Sequence, residues 1–132
     1  MKMLSWFFRL GLLTLLCSCS GALQKSNSDC LGVADFSDTL AHNTPCKIID
    51  VRTPEEFDGG HLEGAVNLDV QSDAFVEAVR EFPKSEAILV YCQGGVRSHR
   101  AAEQLRSMRF KRVYDLCGGL NAWSEAGKAV VH

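Results

Sequence analysis

AILVYCQGGVRS, residues 87–98, is an apolar run that ends at a cysteine, turns through two glycines and opens a helical pattern. Ala87 to Cys92 is apolar throughout, as a strand buried on both faces should be. From Ser98 to Met108, residues Ala101, Ala102, Leu105 and Met108 fall on one helical face. A buried strand that runs directly into a helix is the building unit of a parallel α/β sheet. In such sheets ligands gather beyond the carboxyl ends of the strands. Cys92 stands at that end.

The flanking sequence repeats the alternation. Lys47–Val51 (KIIDV) is a β-branched run after the turn signal Asn43-Thr44-Pro45, Ala65–Val70 (AVNLDV) is a second, and Arg112–Leu116 (RVYDL) a third. Helical patterns lie between them: Asp35–His42 loosely, and Ser72–Phe82 with Phe75, Val76 and Val79 on one face. There is no internal repeat. Strands and helices taking turns predict an open α/β sheet in one domain, which the 132-residue length also suits.

The loop itself carries chemistry. A helix beginning near Ser98 leaves its first amide N–H groups without helical partners, and Gly94 and Gly95 let the preceding loop curl without Cβ clashes. The product is an anion cradle. Cys92 lies inside it, five residues before Arg97, in a field that favours thiolate over thiol. A thiolate is already a nucleophile and needs no His/Asp base. The plainer reading is a small core cysteine followed by a strand-to-helix turn.

The chain opens with MKMLSWFFRLGLLTLLCSC: Lys2 and Arg9, then an apolar core ending in small residues and cysteine. That is the pattern of an export signal, shorter than the roughly 20 apolar residues of a spanning helix. Leu16-Cys17-Ser18-Cys19 resembles a bacterial lipobox, with an apolar residue three before and a small one just before the cysteine to be modified. The resemblance implies removal of residues 1–18 as a signal peptide, lipid attachment at Cys19, and a domain held at the cell envelope on its periplasmic side. Ordinary secretion and an uncleaved anchor are the alternatives. Residues 19–29, small and polar, read as a tether, and residues 30–132 as the domain. Loss of Lys2 and Arg9 leaves 12 basic against 16 acidic side chains, a balance that argues against nucleic acid as a partner.

Three motifs in order, IIDVRTPEEFDGGHLEGAVNLDV (48–70), Cys92–Ser98 and LCGGLNAWSEAG (116–127), resemble the rhodanese domain over about residues 30–130. The resemblance implies an open five-stranded parallel sheet flanked by helices, and a sulfurtransferase that works through a persulfide on Cys92. A small anionic sulfur donor, thiosulfate or a persulfide, would load Cys92; a thiol or cyanide would unload it. Arg97 would hold the donor, the amides of Gln93, Gly94, Gly95, Val96, Arg97 and Ser98 would hold charge developing on sulfur, and the Ser98 hydroxyl would add one hydrogen bond. The remaining motif residues read as scaffold. Asp50 and Arg52 would pair, Glu56 and His61 would fix a crossover loop, Gly118 and Gly119 would let the next loop approach, and Trp123 would pack the last helix. No cofactor is implied, and His42, His61, His99 and His132 show no metal-ligand spacing with the cysteines.

Two other classes fit parts of the pattern. A Cys-dependent phosphatase also places cysteine and arginine around an anion cradle, but tyrosine and dual-specificity phosphatases use Cys, five residues, then Arg, and here four residues separate Cys92 from Arg97. A sulfur carrier or binding module without turnover is the non-enzymatic alternative. The other cysteines are also open: Cys30 and Cys46 could form a structural bridge. Cys117, expected beside Cys92 on the neighbouring strand, could resolve the persulfide into a Cys92–Cys117 disulfide that an envelope thiol reductant reopens; otherwise it is a half-buried small residue.

Overall fold

The computed structural model describes residues 30–132, so the signal segment, Cys19 and the tether to residue 29 lie outside the described residues. Helix α1 (Val33–His42) leads into β1 (Cys46–Asp50), α2 (Pro54–Asp58), β2 (Ala65–Asn67), α3 (Phe75–Arg80), β3 (Ala87–Tyr91), α4 (Val96–Ser107), β4 (Arg112–Asp115) and α5 (Gly119–Glu125). The strands form one parallel sheet in the order β2-β1-β3-β4.

Every residue of β3 is buried, and the two-residue period of a strand sends its side chains to opposite faces. Ile88 and Val90 join Ile49, Phe75, Val79, Ala101 and Leu105 in the core under α3 and α4. Ala87, Leu89 and Tyr91 join Phe36, Leu116, Leu120 and Trp123 in the core under α1 and α5. Covering both faces explains why the central strand tolerates no polar position.

The sheet has four hydrogen-bonded strands among the described residues, where five were expected. The fifth is reduced to one parallel bridge, Leu31 to Leu116, made by Leu31 N–H to Asp115 O at 2.7 Å and Cys117 N–H to Leu31 O at 2.8 Å. The chain turns into α1 at Val33, so the edge pairing ends after a single residue. β2 is likewise shorter than the expected 65–70: beyond Asn67 the chain still donates from Leu68 to Asp50 O and from Val70 to Val51 O, but leaves strand geometry.

That edge bridge also sets the disulfide. Cys30 is bonded to Cys117, with Cα atoms 5.2 Å apart and a sequence separation of 87, while Cys46 and Cys92 are free. The expected alternatives are therefore corrected: Cys46 is not the partner of Cys30, and Cys117 has no free thiol with which to resolve a Cys92 persulfide. Closing so long a loop restricts the unfolded chain, so replacing Cys30 and Cys117 together by serine is expected to cost about 2–4 kcal/mol of unfolding free energy. Urea titration checks this; a double variant as stable as wild type would show that the bond contributes nothing to the fold.

Candidate active site

The site is built where β3 meets α4. Cys92 follows the last residue of β3, and α4 starts at Val96, two residues earlier than its periodicity suggests. Gly95 takes φ 99° as the helix N-cap, a conformation only glycine adopts freely. This sharp turn brings the Gly95 amide back over the cysteine, where it donates to Cys92 Sγ at 3.0 Å. The unpaired amides of the first turn of α4 follow at once, so the sulfur sits at the positive end of a 12-residue helix. Cys92 is 1% exposed, at the floor of the loop, while Val96 on the rim is 66% exposed.

The loop after β4 holds this floor in place. Leu120 N–H donates to Cys92 O at 2.8 Å and Asn121 N–H to Gln93 O at 3.0 Å. A Cβ on Gly119, at φ 58°, would collide with the Cys92 carbonyl oxygen and lie 2.8 Å from the Gln93 carbonyl carbon. Gly119 is therefore glycine because another loop's backbone occupies the side-chain space, as its pairing with Gly118 suggested.

Below the loop, Arg52 is buried. Its Nε lies 3.0 and 3.1 Å from the two Asp50 carboxylate oxygens, its Nη2 donates to Asp50 Oδ2 at 2.6 Å and to Gly60 O at 2.7 Å, and its Nη1 donates to Gln93 Oε1 at 2.9 Å. The expected scaffold pair is thus present, and it reaches the active loop through Gln93, whose amide group also donates to Asn121 Oδ1. His61 stacks on Phe57 and pairs through Nδ1 with the Phe57 carbonyl, a structural role. Trp123 is buried, with Nε1 donating to Ala129 O at 3.0 Å.

Arg97 and Ser98 differ from expectation in their partners. The Arg97 guanidinium forks onto Glu56, Nη1 to Oε2 and Nη2 to Oε1, both at 2.7 Å. Its charge at the loop is therefore shared with a carboxylate. Ser98 is fully buried; its hydroxyl donates to Gly95 O at 3.2 Å and braces the turn from within. Cys117, one residue before Gly118, belongs to the disulfide described above.

Glu56 is the residue whose role at the site the sequence reading missed. It closes a capping box at the start of α2: Thr53 Oγ1 accepts from Glu56 N–H, and Glu56 Oε2 accepts from Thr53 N–H. The signal was present as Thr-Pro-Glu-Glu, a capping residue with glutamate three positions on. The Arg97 fork, helped by the Thr53 amide and opposed by burial, holds the Glu56 carboxyl down at about 2. A carboxyl whose folded value is depressed stabilises fully above its ordinary value, here 4.5, and loses that contribution as pH falls toward 2. Glu56→Gln is expected to cost on the order of 1 kcal/mol near neutrality, the scale of a partly exposed ion pair. The gap from wild type should close between pH 4.5 and 2; a gap constant over that window would mean that the charge of Glu56 is not its source.

Comparison with known proteins agrees with this geometry. A family model described as Rhodanese-like domain matches residues 33–126. Thiosulfate sulfurtransferase 16, chloroplastic, from Arabidopsis thaliana is 38% identical over 107 residues, covering 71% of this chain and 89% of its own. The uncharacterized protein YqhL of Bacillus subtilis is 39% identical over 83 residues; the match takes in 63% of this chain and spans 64% of the length of YqhL. Among solved structures, a rhodanese-related protein from Thermoplasma volcanium superposes with a TM-score of 0.67 at 25% identity, covering 77% of this chain and 96% of that one.

Proposed function

The chain belongs to the rhodanese-like domain family, and from that premise we propose that it is a sulfurtransferase in which Cys92 carries the sulfur. The observation that supports this most directly is the Cys92 sulfur at the floor of a glycine turn, accepting a hydrogen bond from Gly95 N–H at 3.0 Å at the start of α4. Backbone donors already aimed at a sulfur need no reorganisation when charge gathers there.

In the first half-reaction the Cys92 thiolate attacks the outer sulfur of thiosulfate. A bond forms between Cys92 Sγ and that sulfur, the sulfur–sulfur bond of thiosulfate breaks, and its electron pair leaves with sulfite. In the second, a nucleophile such as cyanide bonds to the terminal sulfur, the Sγ–S bond breaks, and the pair returns to Cys92 as thiolate. This is covalent, ping-pong catalysis. The loop amides serve both halves, since negative charge sits on sulfur throughout. The Arg97–Glu56 fork holds one flank of the loop, and Arg97 offers the donor its remaining donor capacity. Thiosulfate–cyanide turnover by the purified protein tests the reading. Repeated turnover with parallel double-reciprocal lines is expected; efficient aryl phosphate hydrolysis with no use of thiosulfate would replace it with a phosphatase.

We further propose that the domain is exported and lipid-anchored through Cys19. The lipobox-like Leu16–Cys19 segment supports this, and so does the Cys30–Cys117 disulfide, a bond that persists in oxidising compartments. Labelled palmitate supplied to cells should enter the wild-type protein and not Cys19→Ser; equal labelling of both would exclude Cys19 as the anchor.

A further inference from the structure

Glu56 in the first turn of α2 and Arg97 in the first turn of α4 meet beside the cysteine loop across a sequence separation of 41. Both carboxylate oxygens are committed to the one guanidinium, each at 2.7 Å. Glu56 is also held from behind, because the Thr53 amide donates to Oε2 and the Glu56 amide donates to Thr53 Oγ1. A carboxylate fixed from both sides does not swing aside freely when a substrate arrives.

The shape of the loop is secured by other contacts. Gly95 makes the turn, the Ser98 hydroxyl braces it, and the amides of Leu120 and Asn121 hold the carbonyls of Cys92 and Gln93. What the Glu56–Arg97 pair changes is charge. The hydrogen bond from Glu56 foremost, then the charges of Cys92 and Asp69, push the Arg97 guanidinium above its ordinary value, with burial opposing. Two carboxylates and the cysteine therefore face one cation. The other guanidinium beneath the loop, Arg52, is neutralised by Asp50 at 2.6 Å. Three carboxylates, Asp50, Glu56 and Asp69, thus stand against two guanidinium groups. Thiosulfate carries two negative charges, and a site built to bind a dianion by ion pairing would leave its arginine open to it.

We propose that Glu56 is the charge filter of this site: by holding Arg97 it denies a doubly charged donor a counter-ion and leaves Cys92 to favour sulfur carried on a group of lower charge. Glu56 touches no reacting atom and acts as a positioning residue, through Arg97. The inference rests on the sulfurtransferase reading for the donors, and on the geometry of the pair for the filter. The bond exchange is the same for either donor. With a singly charged organic thiosulfonate, Cys92 Sγ bonds to the terminal sulfur, the sulfur–sulfur bond of the donor breaks, and its electron pair leaves with the sulfinate.

Two ratios read the filter. The first is kcat/KM for thiosulfate over that for benzenethiosulfonate. The second involves no sulfur transfer: it is the rate of Cys92 alkylation by iodoacetate, an anion, over that by neutral iodoacetamide, followed on the Cys92 peptide. Damage to the fold scales both members of a ratio together, whereas a freed guanidinium favours the more negative one. Glu56→Gln is expected to raise each ratio about fivefold, the scale of one partly exposed ion pair, and added salt should shrink the gain. Glu56→Asp, which keeps the charge, should stay near wild type. An alkylation ratio that stays level or falls in Glu56→Gln, or a Glu56→Asp variant that matches Glu56→Gln, overturns the proposal whatever the turnover assay gives. So does a level or falling donor ratio where sulfur is transferred. A raised alkylation ratio in a protein that takes sulfur from neither donor would instead overturn the sulfurtransferase reading and leave the filter standing.

Discussion

Cys92→Ser is expected to lower sulfur transfer from thiosulfate by at least about a thousand-fold, the scale on which removal of a covalent nucleophile acts in other enzymes. The site offers the sulfur a Gly95 amide and a helix N-terminus, and a serine alcohol in its place is a far weaker nucleophile toward sulfur than a thiol or thiolate. The fold should survive. Serine is nearly isosteric with cysteine, and its oxygen can accept the same Gly95 N–H. Steady-state kinetics and circular dichroism on one preparation check both halves; wild-type turnover in the folded variant would move the chemistry to another residue.

The second large effect concerns the support beneath the loop. Asp50 is fully buried, and Arg52 neutralises it while also holding Gly60 and Gln93. Arg52→Met would leave a buried carboxylate without its partner, and breaking a buried pair from one side costs about 3–5 kcal/mol. Replacing both members, Asp50→Leu with Arg52→Met, should recover much of that loss, because the charge needing compensation is gone. Urea titrations of the three proteins check the pattern. A single variant within 1 kcal/mol of wild type, on the order of an exposed pair's worth, would mean that solvent reaches Asp50. Arg52→Met should also disturb transfer, since Gln93 would lose the guanidinium that orients it.

The central strand and its outlet were legible because one physical requirement shaped each. A strand covered on both faces must be apolar at every position, and Ala87–Tyr91 is. A helix packed on one face must show a repeating apolar stripe, and Ala101, Ala102 and Leu105 supply it. Two consecutive glycines before that helix announced the sharp turn, which Gly95 makes. Two other features depend on approach between distant segments. Cys30 finds Cys117 across 87 residues because a single edge bridge brings Leu31 to Leu116, and nothing local distinguishes Cys117 from Cys46 as its partner. Arg97 and Glu56 meet across 41 residues, so charge alone could not tell a free arginine from a paired one. Ser98 lies on the same buried stripe of α4 as Ala101, Ala102 and Leu105, and its hydroxyl donates to Gly95 O within the turn. The fifth strand was carried over from family resemblance, and this chain shortens it to one bridge.

The central claim is that sulfur rests on Cys92, and mass spectrometry of the protein after incubation with thiosulfate tests it most directly. The account predicts a gain of one sulfur atom on the peptide containing Cys92, removed by cyanide, while Cys30 and Cys117 remain joined. An unmodified Cys92 peptide, with the added sulfur on Cys46 or nowhere, would contradict it.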